Sequence, residues 1–176
     1  MGYLCFGDSN TYGYDPRGFF GGRYKNCWVD LLAAKTGHTF INAGANGREI
    51  PRSPSAVGQM DEADSILIML GTNDLLQGAS PQEAAARMEA FLLPLLSHRL
   101  LLIAPPPMQR GAWVPADTLV EASVRLGEEY RLLAEKLRIP FIDTRSWNIE
   151  LAFDGVHFTE EGHRAFAENL RRALRL

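Results

Sequence analysis

The sequence predicts an α/β protein built on a five-stranded parallel sheet, and three observations carry that prediction. Five short apolar runs alternate with stretches of helical periodicity. The runs are apolar throughout, as strands covered on both faces require. The chain has 176 residues, 46% hydrophobic and 22% charged, which suits a single hydrophobic core. Repeated βα units imply right-handed crossovers and a sheet between two helical layers, a three-layer αβα sandwich. No internal repeat, low-complexity tract or linker interrupts the chain, so 1–176 reads as one domain.

The strand runs are residues 3–6, 39–42, 66–70, 100–104 and 139–143. Before the second of them, Trp28, Leu31 and Leu32 share a helical face. A further helix begins with a strong local signal: Ser80 as N-cap, Pro81 at the first helical position and Glu83 completing a capping box. Met88, Phe91, Leu92 and Leu95 follow at helical spacing, with Pro94 placed to kink the helix or end it early. Asp117–Leu137 brings Leu119, Leu126, Tyr130, Leu133 and Leu137 to one side, and a last helix from about Thr159 buries Phe166, Leu170 and Leu174. Residues 105–116, with three consecutive prolines and Trp113, form a long irregular segment that either walls a site or is a rigid connection.

Charge and composition narrow the function classes. A net charge of −3 gives no sign of a nucleic-acid partner. Arg164, Arg171, Arg172 and Arg175 read as a solvated face near a helix C-terminus. No basic, then apolar leader opens the chain, and no apolar run approaches the ~20 residues of a membrane span. Two cysteines are too few for a disulfide framework, and Cys5 reads as a small core residue. A cytoplasmic protein without membrane contact is expected. There is no paired-cysteine, His-rich or His-Glu-x-x-His motif and no Gly-x-x-x-x-Gly-Lys phosphate loop, so no metal and no cofactor is expected.

The polar motifs fall at strand exits. Gly7-Asp8-Ser9-Asn10-Thr11 follows the first strand, Asn42-Ala43-Gly44-Ala45-Asn46-Gly47 the second, and Gly71-Thr72-Asn73-Asp74 the third; Asp154-Gly155-Val156-His157 precedes the last helix. In a parallel sheet these exits share one edge, where ligands bind. A serine activated by a histidine with an orienting carboxylate is the apparatus of nucleophilic acyl transfer.

Those four segments, in that order along nearly the whole chain, resemble the nucleophile, glycine, asparagine and Asp-x-x-His blocks of the SGNH hydrolases, the GDSL-type esterases and lipases. The stretch 7–16 is most similar to the arylesterase-like branch. The resemblance implies a five-stranded sheet of flavodoxin-like order. It implies a serine esterase in which Ser9 attacks the ester carbonyl, His157 moves the proton and Asp154 orients the imidazole. It implies an oxyanion held by the Ser9 and Gly44 backbone N–H groups and the Asn73 amide. Asn10 stands where the motif's common name has leucine and is expected to leave the chemistry intact. Asp8 reads as a loop-shaping acceptor, Asp74 as a turn residue, and His163 as a competing base disfavoured by spacing; His38 and His98 read as surface residues.

Two other readings compete: a flavodoxin-like binding protein, which would purify yellow, and a non-enzymatic carbohydrate-binding module, which would not react with a serine-directed phosphonate. For an enzyme, Tyr12, Tyr14, Trp113 and Trp147 are candidate stacking surfaces for a small-molecule ester. The chain leaves no room for a lid or long acyl tunnel, so short-chain aryl or acetylated-carbohydrate esters are expected. Thioesters and lysophospholipids stay open, as does a homo-oligomer, for which Phe19 and Phe20 could form a contact or a pocket rim.

Overall fold

The computed structural model describes residues 1–18, 22–58 and 62–176. Phe19 and Phe20 lie outside the described residues. The elements in chain order are β1 (Gly2–Gly7), α1 (Ser9–Tyr12), β2 (Tyr14–Asp15), β3 (Gly22–Arg23), α2 (Trp28–Thr36), β4 (Thr39–Gly44), β5 (Ser65–Met69), α3 (Thr72–Leu76), α4 (Pro81–Leu92), β6 (Leu100–Ile103), α5 (Asp117–Leu137), β7 (Phe141–Ile142) and α6 (Glu160–Leu174). The main sheet is parallel, in the order β4-β1-β5-β6-β7. Taking only these five strands, that is the flavodoxin-like order 2-1-3-4-5, with the switch point between β1 and β5.

Strand alternation explains the three layers. Leu4, Phe6, Ile66, Ile68, Leu100 and Leu102 face one side and pack with Met88, Phe91, Leu126 and Tyr130 of α4 and α5. Tyr3, Cys5, Leu67, Met69, Leu101 and Ile103 face the other and pack with Trp28, Leu32, Phe166 and Leu170 of α2 and α6. A period of two thus feeds two cores, which is why each strand reads as continuously apolar.

The helix signals work locally as expected. Ser80 Oγ accepts from the Glu83 N–H, and the Glu83 carboxylate accepts from the Ser80 N–H at 2.8 Å. Pro94 ends the regular helix: α4 stops at Leu92 and a 3₁₀ turn, Leu93–Leu95, carries the chain on. In α6, Arg164 pairs with Glu160 and Glu161, and Arg171 and Arg172 pair with Glu168. These three arginines find partners within their own helix.

Neither the short helix α3 nor a small ribbon was expected from the sequence. Tyr14–Asp15 and Gly22–Arg23 pair antiparallel as a small ribbon beside the main sheet. Two-residue strands leave too little period for a sequence pattern to reveal. Among the described residues no helix is long and apolar enough to cross a membrane.

Candidate active site

The Ser9 side chain lies at the start of α1, immediately beyond β1. Asp8 is the N-cap, its carboxylate accepting from the Asn10 N–H at 2.9 Å, so the loop-shaping role read for it matches its geometry. Burial pushes the Asp8 carboxyl up to about 6, although the Asn10 N–H and the nearby His157 and Arg48 pull the other way.

His157 meets Ser9 from the far end of the chain. Ser9 Oγ and His157 Nε2 are 2.9 Å apart, and His157 Nδ1 and Asp154 Oδ2 are 2.7 Å apart. All three side chains are buried. The ionised Asp154 can only accept, so Nδ1 carries the proton and Nε2 is left to receive one from Ser9. Asp154 Oδ1 accepts from the Val156 and His157 N–H groups, each at 2.9 Å. Burial pushes the Asp154 carboxyl up, but these bonds and the His157 ring outweigh it and hold it below the ordinary carboxylate value. The charged acceptor this geometry needs is therefore present at neutral pH.

His163 is in a different setting. Its Nδ1 accepts from the Trp28 N–H at 3.3 Å, and the Tyr24 and Phe158 rings stand edge-on at 5.3 and 5.2 Å. Burial, aided by the Arg23 cation, lowers its pKa to about 3. Ser9 Oγ is bonded by His157, not by this ring.

Asn73 stands at the head of α3, and its amide donates to the Arg48 carbonyl at 3.1 Å. One amide hydrogen is spent on that anchor, and the second has no partner among the described residues. The neighbouring Asp74 is not the turn residue expected from sequence. It is fully buried and accepts from the Ile50 N–H at 3.0 Å and the Arg87 guanidinium at 2.9 Å.

The expectation for Gly44 is corrected. Its N–H donates to Asn42 Oδ1 at 2.9 Å and is not available to a ligand. Glycine is required there because a Cβ would fall 2.1 Å from the Tyr12 backbone nitrogen, so the close approach is to α1 and not to substrate. Three residues on, Gly47 has φ +70 and open space where a side chain would stand. Its N–H has no partner among the described residues, and the loop carrying it is tied to Asn73 through Arg48. The Ser9 N–H has no partner among the described residues either.

Of the four aromatic candidates, the structure brings two to the site. The Tyr14 ring is 4.6 Å from the His157 ring, and Trp113, half exposed, meets it edge-on at 5.0 Å. Trp113 is held there by its loop. The Gln109, Ala112 and Trp113 N–H groups donate to the Gly155, Phe153 and Asp154 carbonyls at 3.0–3.1 Å. The segment 105–116 is thus both rigid connection and wall. Tyr12 is turned to the Arg23 guanidinium, 5.8 Å from its ring centre. Trp147 is corrected from site to core: it packs on Phe166 at 5.3 Å, among the residues beneath the α6 face of the sheet.

Two residues carry weight that the sequence did not advertise. Arg48 donates to the Gly7 carbonyl at 2.9 Å and to the Ala43 carbonyl, joining the ends of β1 and β4, and lies over the Phe6 ring at 4.2 Å. Asn10 reaches across to the His157 loop. Its position next to the serine was the one available signal.

The fold and this geometry define a class: a three-layer αβα protein with a Ser–His–Asp chain at the C-terminal edge of a flavodoxin-order sheet. The chain belongs to the GDSL-like lipase/acylhydrolase family, whose model matches residues 5–165. It is a serine esterase, a hydrolase of carboxylic esters that acts on small-molecule esters. Similar solved structures include the M. smegmatis aryl esterase, 25% identical with a TM-score of 0.85 over 99% of this chain and 98% of the other. A carbohydrate acetylesterase family member from Sinorhizobium meliloti is 27% identical, TM-score 0.84, over 99% and 97%. A member of the lipolytic G-D-S-L family from Veillonella parvula, 24% identical with a TM-score of 0.78 over the full length of both, supports the fold. No curated protein sequence matches the chain.

Proposed function

We propose that this chain, acting as one domain, hydrolyses short-chain aryl or acetylated-carbohydrate esters through an acyl-enzyme on Ser9. The observation that carries the assignment is the buried hydrogen-bond relay from Ser9 Oγ to His157 Nε2 and from Nδ1 to Asp154, at 2.9 and 2.7 Å. His157 Nε2 takes the Ser9 proton as Oγ bonds to the carbonyl carbon. Asp154 stabilises the imidazolium that results. The tetrahedral oxyanion is met by the Ser9 N–H, the second Asn73 amide hydrogen and the Gly47 N–H. Collapse breaks the bond to the leaving oxygen, which takes the proton from Nε2. Water then repeats the sequence on the acyl-enzyme and restores Ser9.

The substrate class rests on the walls. Tyr14 and Trp113 flank the base and suit a flat aromatic or sugar leaving group. The aryl esterase and carbohydrate acetylesterase among the similar structures act on such esters by their names. A cavity of about 600 Å³ lies at the opposite edge of the sheet, lined by Met1, Tyr3, Leu100 and Phe141, and does not extend an acyl tunnel from Ser9. Cys5 and Cys27 are buried free thiols, which fits a reducing cytoplasm.

The test is labelling with a serine-directed phosphonate, located by mass spectrometry, beside the turnover of Ser9→Ala. Labelling at Ser9 and a kcat loss of ~10³-fold or more is expected. Wild-type turnover by folded Ser9→Ala would refute the assignment.

A further inference from the structure

Asn10 is the covalent neighbour of the proposed nucleophile, and its side chain is bonded to the loop of the proposed base. Its Nδ2 donates to the Val156 carbonyl at 3.0 Å, and its Oδ1 accepts from the Phe158 N–H at 2.9 Å. These are the two backbone groups on either side of His157. The remaining two are also held: the His157 N–H donates to Asp154 Oδ1 at 2.9 Å and its carbonyl accepts from the Ala152 N–H at 2.7 Å. Every backbone polar group around the base is thus paired, and half of the pairs are to one side chain.

We propose that Asn10 is a positioning residue that sets the distance between Ser9 and His157. The argument is geometric. Ser9 and His157 are 148 positions apart, and a hydroxyl–imidazole contact tolerates little error. An amide bonding both flanks of His157 resists both sliding and rotation of that loop, which a single bond would not. Asn10 is itself held by neighbours: it is 6% exposed, its N–H donates to Asp8, and its carbonyl accepts from Trp28 Nε1 at 3.0 Å. Val156 and Phe158 are 5% and 1% exposed, so bonds lost there are not replaced by solvent without movement of the loop. Leucine at this position, as in the motif's common name, offers neither donor nor acceptor. Here the base loop is held by an amide in its place.

The proposal rests on reading Ser9 and His157 as nucleophile and base, and the experiment separates the two. The full chain is prepared as wild type, Ser9→Ala, Asn10→Leu and Asn10→Asp, and each is assayed with p-nitrophenyl acetate and labelled with the phosphonate. Asn10→Leu is expected to lose ~10–100-fold in kcat, the scale of a misplacement near 1 Å, with KM changed less than about twofold. The rate of phosphonate labelling should fall by the same factor, while urea unfolding shows a folded protein. Asn10→Asp keeps the acceptor for Phe158 but turns a second acceptor toward the Val156 carbonyl, so a kcat loss with the same unchanged KM is expected. A folded Asn10→Leu with wild-type kcat and labelling rate overturns the proposal, as does a loss expressed in KM. If Asn10→Leu fails to fold, Asn10→Asp decides by the same two readouts. If Ser9→Ala is fully active, the reading of the site fails first; if it is inactive while both Asn10 variants are normal, only this proposal fails.

Discussion

His163→Asn separates the two buried histidines, and its effect on stability follows from the structure. An asparagine oxygen stands near the position of Nδ1 and can still accept from the Trp28 N–H, while the titrating ring is gone. Burial lowers the His163 pKa from the ordinary 6.5 to about 3. Between those values the unfolded chain binds a proton that the folded chain does not, so stability falls as pH falls. Each pH unit in that window costs ~1.4 kcal/mol, so acidification to about pH 4.5 removes ~2–3 kcal/mol through this residue. Asp8 acts in the opposite sense. Its pKa is raised to about 6, so the folded chain takes up a proton before the unfolded chain does, and its contribution grows as pH falls below 6. By about pH 4.5 it returns ~2 kcal/mol. Over this range the two contributions nearly cancel in the wild type. In His163→Asn the ring's contribution is gone while Asp8 and the other carboxylates are common to both proteins, so the stability gap between variant and wild type should move ~2–3 kcal/mol in the variant's favour between about pH 7 and pH 4.5. Urea unfolding across that range measures it. Ester hydrolysis at neutral pH should remain near wild type, because this ring does not bond Ser9. A gap that stays constant with pH would refute the argument from burial, and lost hydrolysis in a folded variant would make His163 the base.

The remaining expectations concern the reaction. Asp154→Asn can donate an amide hydrogen to His157 Nδ1, which selects the tautomer unable to accept from Ser9; kcat should fall ~10³-fold or more in steady-state hydrolysis, with the fold intact by circular dichroism. Asn73→Ala should cost ~10²–10³ in kcat with a smaller change in KM, since its bond strengthens as the oxyanion forms; a change confined to KM would mean ground-state binding. In a series of p-nitrophenyl esters from two to sixteen acyl carbons, kcat/KM should peak at four carbons or fewer, because each methylene gains ~0.8 kcal/mol only where an apolar wall receives it. A maximum at ten or more would reveal an acyl tunnel. Trp113→Ala should raise KM for aryl esters more than for aliphatic ones, measured on matched acetates.

What the sequence determined by itself was whatever is encoded within a few residues. The runs at 3–6 and 100–104 were legible because a strand packed on both faces must be apolar at every position. The start of α4 was legible because Ser80, Pro81 and Glu83 satisfy one helix end among themselves. The Asp154–His157 pair was legible because both of its groups lie in one loop. Motif order along the chain then pointed to Ser9 as their partner. What only the tertiary structure decided depends on groups far apart in the chain. Gly44 and Gly47 are equivalent as letters, but Asn42 engages the N–H of the first and leaves that of the second open. His157 and His163 differ in that one meets a hydroxyl and the other is sealed under Tyr24 and Phe158. Trp113 and Trp147 are both late loop tryptophans, and only the bonds from 109–113 to 153–155 carry the first to His157. Asn10 read as a neutral departure from a motif, because a side-chain amide has no visible purpose until the chain returns 146 residues later with a carbonyl and an N–H to fill it.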